Sequence, residues 1–169
     1  PGGKAVHLAA LSPEATVFAA DLHDHKLDLI KQLSTRLKLS STYDLEEEAR
    51  IKLLVANSTK PFAQSFDHIL CDAPCSSLGI LRKQPEIRYR RSSEEILQMA
   101  SLQKKILNNL AESLNPGGIL LYSVCTDTPE ENEQVVESFL ATHPEFSMAP
   151  AVPEDAPWAE LIDENGYFH

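Results

Sequence analysis

Two thiols and a carboxylate stand where strand-like runs give way to loops. Asp72 and Cys75 lie in Asp72-Ala73-Pro74-Cys75, and Cys125 closes Tyr122-Ser123-Val124-Cys125. A thiolate is a strong nucleophile, and a carboxylate beside it can orient a hydrogen-bonding substrate. Cys71 falls inside a strand-like run, the usual place of a buried structural cysteine. Zinc is the rival use of such residues, but Cys71 and Cys75 form only a CxxxC pair with no complementary pair, which argues against a closed tetrahedral site. No metal is expected, and His23 and His25 read as solvated residues opening a helix.

In an open α/β sheet, ligands bind beyond the carboxyl ends of the strands, where successive loops converge. Gly2 and Gly3 have no side chains to obstruct close approach, and a helix beginning near Lys4 points free N–H groups at that place. This turn is not a P-loop, because the spaced first glycine and the Ser or Thr after the lysine are missing. Asp21 ends the next strand. It either accepts hydrogen bonds from ribose hydroxyls or caps the following helix, and the residues alone leave both readings open.

The elements that position these residues follow from periodicity. Thr16 to Ala20, Ile51 to Ala56, Phe66 to Cys71 and Ile119 to Val124 are short apolar runs predicted as strands. Leu27, Ile30, Leu33 and Leu37 recur at helical spacing after Asp24, and Asp44 to Arg50 reads as a solvated acidic turn. Ser92 and Glu95 offer a capping box for a long helix striped by Ile96, Ala100, Leu107, Leu110 and Leu114, which Asn115-Pro116-Gly117-Gly118 stops. Thr128-Pro129-Glu130-Glu131 offers a second box, opening a helix that reaches about Ala141. Strands alternating with helices predict parallel βαβ units, hence a doubly wound α/β fold. Ser147 to Pro157 is predicted to wander over the surface. The chain opens in what reads as the turn after a first strand, and closes on Gly166-Tyr167-Phe168 before a last one.

At 169 residues and 43% hydrophobic content, the chain is expected to form a single domain over 1–169 with a real core. No apolar run approaches the roughly 20 residues that cross a bilayer, and Pro1-Gly2-Gly3-Lys4 does not resemble a signal peptide. Three unevenly spaced cysteines argue against a disulfide framework, so a soluble cytoplasmic protein is expected. A formal charge of -10 repels phosphates overall, so nucleic-acid binding requires a local basic patch. Arg82, Lys83, Arg88, Arg90 and Arg91, opposed only by Glu86, supply one, with Tyr89 able to stack on a base. By itself such a run reads as solvated surface; beside a base pocket it reads as RNA contact.

Pro1-Gly2-Gly3-Lys4, Asp21 in Ala-Asp-Leu-His, Asp72-Ala73-Pro74-Cys75-Ser76, and Tyr122-Ser123-Val124-Cys125 followed by Pro129-Glu130-Glu131-Asn132 occur in a distinctive order. In that order and approximate spacing the chain resembles, over nearly its whole length, the Nop/Sun-type RNA cytosine-C5 methyltransferases, especially the Sun-type bacterial enzymes that modify a cytosine of 16S ribosomal RNA. The resemblance implies a Rossmann-like class I methyltransferase fold, with its first and last strands and a helical N-terminal RNA-binding domain outside this chain. It implies S-adenosylmethionine as methyl donor, 16S rRNA as substrate, and a monomer. Pro1, Gly2, Gly3, Lys4, Asp21, Asn57, Ser58 and Asp72 would line the donor site.

The resemblance also assigns the sulfurs. Cytosine C5 is too poor a nucleophile to take a methyl group directly; Cys125 as thiolate would add to C6 and make C5 enamine-like, while Cys75 would assist release and Asp72 would orient the base. At an ordinary pKa near 8.5, about 3% of a thiol is ionised at pH 7, and lowering that value by about 1.5, worth about 2 kcal/mol, makes most of it reactive. Lys4 is a candidate for supplying the positive charge. Two positions depart from the family pattern: Val124 replaces a Thr, and Asn57 or Ser58 replaces an acidic residue. A non-catalytic RNA-binding or ribosome-assembly module on the same fold is the alternative those departures favour.

Overall fold

The computed structural model describes residues 1–45, 47–149, 156–157, 159–163 and 166–167. Its elements run α1 (Gly3–Leu11), β1 (Val17–Asp21), α2 (Asp24–Arg36), β2 (Ser41–Thr42), β3 (Ile51–Val55), β4 (Phe66–Asp72), α3 (Ser93–Ala111), β5 (Leu114–Ser123) and α4 (Glu133–Thr142), with short 3-10 turns at Leu78–Ile80, Pro85–Tyr89 and Ala159–Leu161. All strand pairs are parallel: β1, β3 and β2 in that order form one sheet, and β4 with β5 forms another. The predicted parallel α/β architecture is observed, and each sheet carries its own core. Leu27, Ile30, Ile51 and Leu53 bury with Val6 and Ala9 under α1 and α2, while Ile106, Leu107, Leu110, Val135 and Phe139 bury with Cys71 under α3 and α4.

The neighbouring edges of β1 and β4 are not hydrogen-bonded to each other. Between them lies a cleft of about 1020 Å³, walled by both strands. Phe18 and Phe66 meet edge-on at its base, with ring centroids 5.4 Å apart. At its rim the ammonium of Lys4, on α1, pairs with Asp72 at 2.7 Å. Pro1, Gly2, Gly3, Asp21 and Asp72 all line this cleft.

Three local predictions met different outcomes. The Ser92–Glu95 capping box forms in full, with Glu95 N–H bonded to Ser92 Oγ and Ser92 N–H to Glu95 Oε2, a cap contributing about 1 kcal/mol. The second box does not form. Thr128 Oγ1 donates to the Glu131 carboxylate at 3.2 Å instead of accepting from its backbone, and α4 starts later, behind Asn132. The reason is that the Glu131 side chain is buried with Oε2 held by Ser76 N–H and Gln103 Nε2, so its Oε1 meets the Thr128 hydroxyl and not the Thr128 N–H. Asn115-Pro116-Gly117-Gly118 follows the end of α3 but sits within β5, where the register jumps from Phe66↔Leu114 to His68↔Ile119. The strand Ser41–Thr42 was not anticipated; two residues carry no periodicity. Of the stretch Ser147 to Pro157, residues 150–155 lie outside the described residues, as does Phe168.

Candidate active site

Parallel pairing of β4 and β5 brings two loops side by side. The ladder runs to Asp72↔Ser123, and Ala73 N–H bonds Ser123 O at 2.9 Å. Cys75 lies three residues beyond the end of one strand, and Cys125 two beyond the end of the other. Their sulfurs are 3.1 Å apart. The Cys125 N–H points at Cys75 Sγ at 3.3 Å, and the Cys125 thiol donates to Ser77 Oγ at 3.4 Å. Ser77 Oγ also lies 3.9 Å from Cys75 Sγ. Ser77 reaches both sulfurs because its backbone is left-handed, at φ 65°, which folds the loop back on itself. Sequence reasoning missed Ser77, since nothing in Cys75-Ser76-Ser77 announces that conformation.

The three cysteines differ in environment. Cys125 is exposed, Cys75 is half-buried and Cys71 is buried. Burial, with the neighbouring Asp72 charge adding to it, pushes the Cys71 thiol up to about 12, as befits an inert core residue. Burial and then the hydrogen bond with the Cys125 side chain push the Cys75 thiol above its ordinary value, against backbone hydrogen bonds from Cys125 and Ser77 that lower it. The half-buried Cys75 thus lies next to an exposed sulfur.

The remaining sequence-selected residues near the cleft fall into four groups. Gly2 adopts φ +89° ahead of α1, and a Cβ added to Gly3 would meet nothing within 4 Å, so the turn leaves free space at the helix N-terminus. Asp21 lines the cleft with Oδ1 accepting from His23 N–H at 2.9 Å and Oδ2 facing Lys26 at 3.4 Å; the N-cap of α2 is His23, with no side-chain cap bond, so Asp21 shapes the turn before the helix and does not cap it. Lys4 bonds Asp72, whereas the hydrogen-bond partners of the two sulfurs are each other, the Cys125 N–H and Ser77. Asn57 turns its Oδ1 onto Thr59, and Ser58 lines the cleft.

Arg82, Lys83, Arg88 and Arg90 are exposed on the segment after the Cys75 loop, together with Tyr89 at 86% exposure. Ile87 is buried and pins this segment down. Arg91 differs from its neighbours: it is half-buried, and its Nε donates to Ser76 O at 3.0 Å, tying the basic segment to the cysteine loop. Among the described residues no group of three or more His, Cys, Asp and Glu could hold a metal ion, and no helix is long and apolar enough to cross a membrane.

A parallel Rossmann-like sheet with a glycine turn, an acidic strand end and paired thiols at its carboxyl edge defines a methyltransferase-type α/β protein. Two solved structures have this architecture: NSun6 from Pyrococcus horikoshii, solved with SFG, matches at 30% identity and a TM-score of 0.70 over 84% of this chain and 35% of its own. A methyltransferase homolog protein from the same organism matches at 31% identity and a TM-score of 0.66 over 83% of this chain and 42% of its own. Residues 1–161 match the family model for 16S rRNA methyltransferase RsmB/F, and the chain belongs to that family. The ribosomal RNA small subunit methyltransferase B of Yersinia pseudotuberculosis is 34% identical over 100% of this chain, which spans 39% of that relative's length.

Proposed function

We propose that this chain is the catalytic domain of a longer enzyme that transfers a methyl group from S-adenosylmethionine to C5 of a cytosine in 16S rRNA. The observation that carries the reading is the pair of sulfurs 3.1 Å apart at adjacent strand ends, one exposed and one half-buried. An exposed thiol can reach a base delivered from solvent, so Cys125 is the nucleophile toward C6. A half-buried thiol beside it, its proton affinity raised by burial, suits proton handling during release of the adduct, so Cys75 takes that part. Asp72, fixed by Lys4, orients the base edge and thereby contributes proximity rather than charge alone.

S-adenosylmethionine, when bound, supplies the methyl group. The residues present fit it at the rim of the cleft: Gly3 leaves room, the N-terminus of α1 offers N–H groups, and Asp21 stands at a strand end for hydroxyl groups. The relative solved with SFG, an S-adenosylmethionine analogue, favours the same cofactor class. The backbone-walled depth of the cleft, open between the unpaired edges of β1 and β4, suits one further parallel strand leading into Pro1 in the longer protein. Arg82, Lys83, Arg88 and Arg90 would hold RNA phosphates, while Arg91 braces the cysteine loop.

The test uses the full-length protein, a transcript carrying the target cytosine and labelled donor. Cys125→Ala is expected to abolish methyl incorporation, and Cys75→Ala to accumulate a covalent protein–RNA adduct. An adduct trapped with Cys125→Ala but not with Cys75→Ala reverses the assignment. Asn57, with its oxygen committed to Thr59, favours the second reading of a non-catalytic RNA-binding module. Calorimetric titration with S-adenosylmethionine decides between them: saturable binding supports the enzyme, and its absence supports the module.

A further inference from the structure

Beyond Asp72 and Ser123 the β4–β5 ladder no longer holds the two cysteine loops together. Gly79 N–H reaches Cys125 O at 3.1 Å on the open side, and the buried link is the carboxylate of Glu131, a residue with 0% exposure. Its Oε2 accepts from Ser76 N–H at 2.9 Å, directly after Cys75, and from Gln103 Nε2 at 2.9 Å; its Oε1 accepts from Thr128 Oγ1 at 3.2 Å, on the Cys125 loop. The same Gln103 nitrogen donates to Pro74 O at 2.9 Å, so α3 holds the Cys75 loop directly before the cysteine and through Glu131 after it. Ser76 Oγ and Thr126 Oγ1 bond directly at 3.0 Å, and Asn132 holds Thr126 O at 2.7 Å. Ser76, Gln103 and Thr126 are all buried.

A buried carboxylate is costly to desolvate, and apolar residues of the same volume usually pack there at least as stably. What this arrangement has that an apolar one lacks is direction: three donors from three segments converge on one group and hold Ser76, next to Cys75, against Thr128, three residues after Cys125. We propose that Glu131 is a positioning residue that sets the separation and orientation of the Cys75 and Cys125 sulfurs, acting through Ser76 and Thr128. This deepens the methyl-transfer reading and rests on it for the kinetic part of its test.

The experiment compares Glu131→Gln, Glu131→Leu and Gln103→Met in the full-length protein. Three readouts are followed: the thermal midpoint, kcat and KM for methyl transfer, and the rate at which diamide oxidises Cys75 and Cys125 to a disulfide. A glutamine can keep every bond, its oxygen facing Ser76 and Gln103 and its amide donating to Thr128, so Glu131→Gln is expected within about three-fold of wild type in all rates. Glu131→Leu keeps volume but removes the acceptor; kcat is expected to fall on the order of a hundred-fold, as for a displacement of about 1 Å, with KM within about three-fold. Its disulfide rate is expected to fall about ten-fold. If Glu131→Leu loses its melting transition, Gln103→Met, which removes one donor and the Pro74 link, decides by the same readouts with a smaller loss. A folded Glu131→Leu or Gln103→Met protein with wild-type disulfide rate overturns the proposal. A wild-type protein that transfers no methyl group overturns the methyl-transfer reading instead, and the disulfide rates still judge Glu131.

Discussion

Gly2 and Gly3 are neighbours whose replacement by alanine is expected to have different consequences. Gly2 sits at φ +89°, and a Cβ there would lie 2.8 Å from Ile30 Cγ1 and 3.2 Å from Ile30 Cβ, on a side chain buried under α1. The left-handed conformation costs a non-glycine residue about 1–2 kcal/mol, and forcing a methyl into packed space costs about 1–3 kcal/mol more. Restricting the unfolded chain offsets about 0.4–1 kcal/mol, so Gly2→Ala is expected to destabilise by about 2–4 kcal/mol. Gly3 begins α1 with open space around its missing Cβ, so Gly3→Ala is expected to leave stability unchanged or raise it by up to about 1 kcal/mol. That open space is where the donor is placed, and a methyl there is expected to weaken S-adenosylmethionine binding about ten-fold, or 1.4 kcal/mol. Urea melts and calorimetric titration of the full-length protein measure both quantities. Equal destabilisation by the two substitutions, or a Gly2→Ala protein as stable as wild type, refutes the steric argument; unchanged donor affinity in Gly3→Ala refutes the placement of the donor on this turn.

Two further outcomes are expected. Because burial raises Cys71 from 9.0 to about 12, the folded state binds its proton more tightly than the unfolded chain; its contribution is complete below about pH 9 and is lost as pH rises toward 12. By pH 10.5 that loss amounts to about 2 kcal/mol, so Cys71→Ala is expected to show a correspondingly shallower fall in urea-melt stability between pH 8 and 10.5, and equal falls in both proteins would count against it. For the basic segment, the triple variant Lys83→Ala, Arg88→Ala and Arg90→Ala is expected to lower the slope of log affinity for single-stranded RNA against log salt by about 2, with donor binding unchanged. An unchanged slope would remove these residues from the RNA interface.

The strands and helices were legible because burial imposes periods that residues display. Val17–Asp21, Ile51–Val55 and Phe66–Asp72 lie within a residue of their predicted limits, and α2 and α3 follow their apolar stripes up to their last members: Leu37 is an exposed C-cap, and Leu114 opens β5 because α3 ends at Ala111. The split between two parallel sheets was not legible in this sense: whether neighbouring strands pair depends on what stands between them, which no periodicity in either strand records. The failed capping box has a different cause. Thr128-Pro129-Glu130-Glu131 carries the right residues at the right spacing, but Ser76 and Gln103 hold one oxygen of the Glu131 carboxylate, which leaves the other to the Thr128 hydroxyl in place of the box geometry.

The site divides along the same line. That Cys75 and Cys125 belong to one place could be read from their positions at strand ends, because parallel strands deliver their carboxyl ends to a single edge. Which sulfur is open and which is covered could not, since both follow a strand by two or three residues. The difference arises from Ser77, whose left-handed turn folds the first loop over its own cysteine, and from Glu131 and Arg91, which hold that loop by Ser76 N–H and Ser76 O. The second loop has its Thr126 and Thr128 anchors below the sulfur and leaves Cys125 facing solvent. Two chemically identical groups thus acquire unequal access from their loops, and the proposed division into one attacking and one assisting thiol rests on that inequality. Exchanging the roles would require rebuilding the loops, not the cysteines.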